Sequence, residues 1–285
     1  MNVAVLRLDI ESLTGKEAIE LVDKHDFKKT HEPSPKDLQP GCSGFSITSL
    51  CSILLNTSIM DRHSEIRNAY KHMGGDATFY DGMITCSTFI GTLVSRLVWG
   101  LNREKAQRYQ ELALSAIPAD FAGKLLEVPV GTGIITMPKY QTLGNAQITC
   151  LDYSPDMMAR AQRLAGKLEI SNIDFVQGDV GNLTFQDESF DVVLSLNGFH
   201  VFPDKEAAYR ETFRVLKPGG VFCGCCAAMK ENWRTDFVLK RVYTPMGYCT
   251  PPFETAASLK ARLEKMYRQV ELTTVESMAI FRALK

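Results

Sequence analysis

From Lys124 onward, short apolar runs alternate with stretches whose apolar residues recur every three or four positions. The runs at 124–130, 147–151, 173–176, 190–196 and 221–227 have strand length and are bounded by Gly, Asp, Asn or Pro. Between them, Ser154-Pro155 supplies an N-cap and an N1 proline for a helix reaching about Leu168. Residues 204–216 have helical periodicity and lead into a turn at Lys217-Pro-Gly-Gly220. Strands alternating with helices at this pitch predict an α/β fold, a doubly wound and mostly parallel sheet covered on both faces. The runs at 269–274 and 278–284 are too close for a crossover, so they predict a hairpin and an antiparallel last strand.

Upstream the pattern changes. Residues 76–117 read as mostly helical, and Asn102 caps a helix whose Ala106, Tyr109, Leu112, Ala113 and Ile117 make one stripe ending at Pro118. Residues 1–75 are less regular. A strand is expected at 3–10, a capping box at Thr14-Gly-Lys-Glu17 opens a helix, and Pro33, Pro35 and Pro40-Gly41 make a linker. A helix at 61–73 is stopped by Gly74-Gly75. The expected organisation is an N-terminal extension (1–75), a helical segment (76–117) and the α/β domain (118–285).

Composition adds exclusions. The 285 residues are 45% hydrophobic and 23% charged, a globular balance. With 32 basic and 33 acidic residues the net charge is −1, so no global field draws in nucleic acid. The eight cysteines (42, 51, 86, 150, 223, 225, 226 and 249) lack paired metal spacing and fit a reducing, cytoplasmic setting. The first apolar run carries Arg7 and Asp9, unlike a signal peptide. Residues 38–60 are uncharged but loaded with Ser, Thr, Asn, Pro and Gly, so no membrane span is expected.

Ligands of doubly wound sheets bind beyond the carboxyl ends of the strands. Here those ends carry Glu127 to Gly133, Asp152, Asp179 and Asn197. Gly131 and Gly133 allow a tight turn and close backbone approach. Asp152, 19 residues after Gly133, can accept both hydrogen bonds of a ribose diol. Asp179 can accept from an adenine amino group, with the Val180 N–H donating to the ring. A nicotinamide dinucleotide site would want a third glycine where Thr136 stands, followed at once by Pro138.

Leu125-Leu-Glu-Val-Pro-Val-Gly-Thr-Gly133, Leu151-Asp-Tyr-Ser-Pro-Asp-Met-Met158, Val176-Gln-Gly-Asp179, Phe190-Asp-Val-Val193 and Leu216-Lys-Pro-Gly-Gly220 follow in order. Over about residues 105–285 the chain thereby resembles class I S-adenosylmethionine-dependent methyltransferases. The nearest group is the small-molecule, ubiquinone/menaquinone-type enzymes (methyltransferase type 11). The resemblance implies a seven-stranded Rossmann-like sheet and in-line methyl transfer from S-adenosylmethionine to a small-molecule acceptor, leaving S-adenosylhomocysteine. It also implies that Glu127, Gly131 and Gly133, with Thr132, face the methionine half of the cofactor. Asp152, with Tyr153, would hold the ribose; Asp179 and Val180 would hold the adenine, and Asn197 would border the transfer site. One position departs: the family's first motif glycine is Pro129, which has no N–H to offer.

His200, in the loop after the fourth strand, is the candidate proton acceptor. Tyr80, Trp99 and Phe199 are candidates for an acceptor pocket, which residues 76–117 would cover as a lid. His63 and His72 lack a metal-spaced partner, and Cys223, Cys225 and Cys226 read as core, so no metal is expected. Two other functions remain open on the sequence: a non-catalytic adenosyl-binding module, which Pro129 favours, and a nicotinamide-dependent oxidoreductase.

Overall fold

In the computed structural model, residues 77–285 are described. The strand expected at 3–10, the helices expected after Thr14 and at 61–73, and His63 and His72 lie outside them. Three helices open the described chain: α1 (Ala77–Ile84), α2 (Phe89–Trp99) and α3 (Arg103–Leu114). The order continues with β1 (Lys124–Glu127), a short α4 (Met137–Tyr140), β2 (Gln147–Asp152), α5 (Pro155–Lys167) and β3 (Ile173–Gln177). Then follow β4 (Phe190–Leu196), α6 (Lys205–Val215) and β5 (Leu216–Ala227). A stretch without strands holds α7 (Trp233–Val238), a π-helical turn (Leu239–Tyr243) and α8 (Ala256–Glu264). The hairpin β6 (Gln269–Val275) and β7 (Met278–Leu284) follows.

These strands form one sheet of seven in the order β3-β2-β1-β4-β5-β7-β6. β1 to β5 are parallel, and β7 runs antiparallel to both β5 and β6. The last strand in sequence is therefore reversed, as expected. It lies inside the sheet, however, and β6 forms the edge. Successive side chains of β1 enter opposite layers, as a strand requires. Leu125 joins Ile148, Cys150 and Leu194 beneath α3 and α5, and Leu126 joins Leu151, Val193 and Phe222 beneath α6 and α8.

Two boundaries differ from the sequence reading. β1 stops at Glu127 rather than at residue 130, because Pro129 has no N–H to extend a ladder. Its neighbours stay tied to the sheet, Val128 N–H to Leu194 O and Val130 N–H to Leu151 O, both at 2.9 Å. The turn expected at residues 217–220 falls within β5 as an irregularity. The register passes from Phe190↔Leu216 directly to Val192↔Val221, and Gly219 takes φ +77°. The expected caps form at Asn102 and Ser154, whose side chains accept the N–H groups of Lys105 and Met157, and Asp204 caps α6 in the same way by accepting Ala207 N–H. Leu112, placed in the apolar stripe of α3 by periodicity, is exposed.

Candidate functional site

The turn after β1 meets the end of β2. Gly131 and Gly133 both adopt left-handed φ, +56° and +72°. A Cβ at Gly133 would sit 2.9 Å from the Met137 side chain, so this glycine is needed for packing. A Cβ at Gly131 would meet no atom within 4 Å, so this turn presents bare backbone to open space. The Asp152 carboxylate organises the turn. Its Oδ2 accepts Gly131 N–H and its Oδ1 accepts Ser154 N–H, both at 2.8 Å. Burial pushes Asp152 up to about 6 against the pull of these backbone donors. Tyr153 N–H also favours the ionised form, and because an ionised carboxylate offers about four lone-pair positions, roughly one is left for a ligand.

Helix α1 lies against the same turn. Thr132 Oγ1 donates to Asp81 Oδ1 at 2.7 Å, and burial holds Asp81 above the usual carboxylate range, opposed by Thr132 and Arg160. Tyr80 stays protonated well above its ordinary range through burial and then the nearby Asp152 and Asp81 charges. Arg160, on α5, keeps a buried Nη1 without a hydrogen-bond partner. Glu127 is turned toward α4, where Tyr140 OH donates to it at 2.9 Å and the Cys150 thiol lies at 3.6 Å. Burial raises Glu127 to about 8, so its carboxyl keeps the proton at neutral pH. At the end of β3, Asp179 Oδ1 accepts Gly181 N–H at 2.8 Å; Val180 is buried and Tyr153 is exposed.

A cavity opens at the end of β4. Its wall comprises Tyr80, Met83 and Ile84 of α1, Ser95 and Trp99 of α2, and Leu101 and Tyr109. Asn197, His200, Tyr243, Tyr248, Cys249 and Met278 complete it. That wall contains no Asp, Glu, Lys or Arg. Trp99 lies 6.2 Å from the His200 ring and 5.9 Å from Tyr243, and Tyr243 stands 5.8 Å from Tyr248. Asn197 turns the chain with φ +57° while its N–H bonds Cys225 O at 2.9 Å. Tyr80 thus belongs to this wall and also lies within electrostatic reach of Asp152.

His200 has a neutral imidazole, pushed down to about 3 by burial and then by Lys205. Its Nδ1 accepts Ala227 N–H at 3.3 Å, a pairing that assigns the ring proton to Nε2. His200 thus lines the cavity as a hydrogen-bond donor through Nε2. Phe199 requires a correction: it is buried in the other layer, stacked on Tyr209 at 4.2 Å, and takes no part in the cavity wall. The left-handed turn at Asn197 and the close seat of Gly198 send it there. A Cβ at Gly198 would lie 2.5 Å from both Pro129 Cδ and Phe202 Cζ. Asp81, Tyr243, Tyr248 and Cys249 were missed by the sequence reading. Tyr243 and Tyr248 come from a stretch without clear periodicity, and Asp81 meets Thr132 across 51 residues with no local signature.

α1 and α2 are held together by glycines. A Cβ at Gly91 would lie 2.3 Å from Gly82 O, closer than any side chain allows. Thr88 caps α2 by accepting Gly91 N–H at 3.1 Å. Among the described residues no cluster of His, Cys, Asp and Glu could hold a metal ion.

Residues 125–220 match the family of methyltransferase domains. Relatives include the demethylmenaquinone methyltransferase of Desulfitobacterium hafniense, 30% identical over 63% of this chain and 64% of its own length. The fatty-acid O-methyltransferase of Mycolicibacterium smegmatis is 37% identical over 43% of each chain. The chain spans 41%, 34% and 64% of three curated relatives, so it matches parts of them. Among solved structures, the cyclase SpnF superposes with a TM-score of 0.53 at 20% identity, over 64% of this chain and 82% of its own. At that identity the likeness concerns the fold alone.

Proposed function

We propose that the protein transfers a methyl group from S-adenosylmethionine to an uncharged, largely apolar small molecule, a reading supported by the match of residues 125–220 to methyltransferase domains. The observation that carries this reading is the cavity. It is aromatic, has no charged side chain in its wall, and shares Tyr80 with the surroundings of Asp152. The site suits the cofactor on two counts, the open space over Gly131 and the unpartnered, buried Arg160 Nη1. Asp152 would accept a ribose hydroxyl, Asp179 and Val180 would border the adenine, and Arg160 would meet the carboxylate of the methionine half. The sulfonium of the cofactor supplies an already electrophilic methyl group.

The remaining work of the chain is positioning. α1 and α2 exclude water from the reacting atoms, and the aromatic wall orients the acceptor. Holding two reactants in line can contribute ~7–11 kcal/mol toward the barrier, so a weak acid or base suffices. His200 would donate from Nε2 to an acceptor oxygen and position it, a role that fits its neutral state, and the proton displaced from the acceptor would leave to solvent after transfer. The name of one relative points the same way, toward demethylmenaquinone as acceptor.

The test is S-adenosylhomocysteine formation from S-adenosylmethionine with a panel of hydroquinones, phenols, fatty acids and charged amines. Turnover is expected with uncharged aromatic or long-chain acceptors. Turnover confined to charged amines or to the carboxylates of fatty acids would overturn the acceptor class. Cofactor binding without turnover on any acceptor would favour a non-catalytic adenosyl-binding module.

A further inference from the structure

Helices α2 and α7 lie side by side, joined by a 2.6 Å hydrogen bond from Thr235 Oγ1 to Val98 O. Each is apolar on two faces. Inward, Gly91, Ser95 and Trp99 of α2 follow a four-residue spacing, as do Thr235, Leu239 and Tyr243 across α7 and the π turn. Trp99 and Tyr243 belong to the cavity wall. Outward, α2 exposes Phe89, Ile90, Leu93 and Leu97, α7 and the π turn expose Trp233, Phe237 and Val242, and Met246 follows just beyond. Phe89 is 86% exposed and Trp233 74%. Solitary surface apolar residues are ordinary, but seven on α2, α7 and the π turn, with Met246 just beyond, make a patch that needs a partner.

The charges beside the patch indicate which partner. On the same outward side by helical spacing lie Arg96, Arg234, Lys240 and Arg241, with the Arg234 guanidinium 5.6 Å from the Trp233 ring centroid. Residues 89–99 contain no acid. Around α7, Asp236 is turned to Lys230 N–H, and Glu231 is exposed. Apolar side chains flanked by basic ones, with an exposed tryptophan, match the interface of an anionic bilayer. Among the described residues no single helix is long and apolar enough to cross a membrane. α1 and α2 together have the length and apolarity but are bent by 58°. A broken pair of this kind suits lying in the interface, and not crossing it.

We propose that the outer faces of α2, α7 and the π turn seat the protein on an anionic lipid surface, with the acceptor cavity directly behind that contact. Binding by this surface does not require methyl transfer, so its test reads association alone. Full-length protein is floated with vesicles of phosphatidylcholine, or of an equal mixture of phosphatidylcholine and phosphatidylglycerol. Association with the mixed vesicles is expected, weakened by salt because the basic contribution is screened. A double variant, Phe89→Ser with Trp233→Ser, should lose at least about tenfold in partitioning, since each side chain removes a large buried apolar area. A second pair, Lys240→Gln with Arg241→Gln, should lose about fivefold per charge and the preference for phosphatidylglycerol. All four side chains are exposed, so unchanged thermal unfolding would verify the fold. Failure of the parent to float with either vesicle overturns the proposal, as does undiminished flotation of both variants. A dimer seen by mass photometry and broken by Phe89→Ser with Trp233→Ser would also overturn it, making a second copy the occupant.

Discussion

Replacing Asp152 by Asn tests the core of the cofactor site, because this carboxylate does two jobs. It holds the turn through Gly131 N–H and Ser154 N–H, and its remaining lone pair is proposed to take a ribose hydroxyl. An amide has one acceptor oxygen, so at least one of the two backbone N–H groups loses its partner. That should cost ~1–3 kcal/mol of stability, visible as a lowered melting temperature without unfolding at 25 °C. Hydrogen bonds to a charged group contribute ~1.5–3 kcal/mol, so affinity for S-adenosylhomocysteine should fall roughly 10- to 150-fold. Affinity should also depend on pH in the parent. Donor hydroxyls favour the ionised form, so binding is full above the free value of about 6 and weakens as pH falls through it. The limiting slope is about tenfold per pH unit, and the Asn variant should show none from this source. Calorimetry with S-adenosylhomocysteine and its 2′-deoxy counterpart separates direct contact from turn shaping. The penalty for deleting the hydroxyl should be large in the parent and nearly absent in Asp152→Asn. An equal penalty in both proteins would refute the ribose contact, whatever the loss in overall affinity.

Three further outcomes can be checked. Gly91→Val should separate α1 from α2, because its branches cannot fit where a Cβ already approaches Gly82 O to 2.3 Å; turnover should fall at least about tenfold while the sheet keeps its far-ultraviolet circular dichroism. Glu127 has a folded value near 8, above its ordinary 4.5, so its contribution is full below 4.5 and is lost as pH rises through about 8. Parent stability should therefore decline by up to ~1.4 kcal/mol per pH unit across that window, and denaturant titrations of Glu127→Gln should show a much flatter profile. His200→Ala should leave cofactor affinity within about twofold but slow turnover, with no ionisation near 6.5 lost from the rate profile, because the buried imidazole is already neutral there; a collapse of cofactor binding in the folded variant would contradict its placement in the cavity wall.

The sheet was legible because its signals are local. Caps at Asn102 and Ser154 and the short gap before Met278 each act over a few residues, and each has its expected physical outcome. Pro129 limited β1 for a reason also visible in sequence, its missing N–H. The candidate site divides differently. Tyr80 and Trp99 reach the cavity wall, whereas the direction of Phe199 depends on a left-handed turn at Asn197 that alternation does not encode. Nor does periodicity reveal α7 and the π turn, which are too short to show a pattern yet bring Tyr243 into the wall. The Thr132–Asp81 bond joins elements far apart in the chain, and residue spacing carries no record of it.

The place of β7 in the sheet bears on how the protein is made. β5 completes its hydrogen bonding only when residues 278–284 insert between it and β6. During synthesis β5 must therefore wait, with its free edge exposed, while some fifty further residues are added. That strand carries Cys223, Cys225 and Cys226, which in the finished fold are buried and have thiols raised to about 12 or beyond. Burial makes them inert afterwards, but a nascent chain presents the same three thiols unprotected, beside an open strand edge. Oxidation and edge-to-edge association of β5 are thus expected chiefly before β7 pairs with it, when neither burial nor a partner strand protects it.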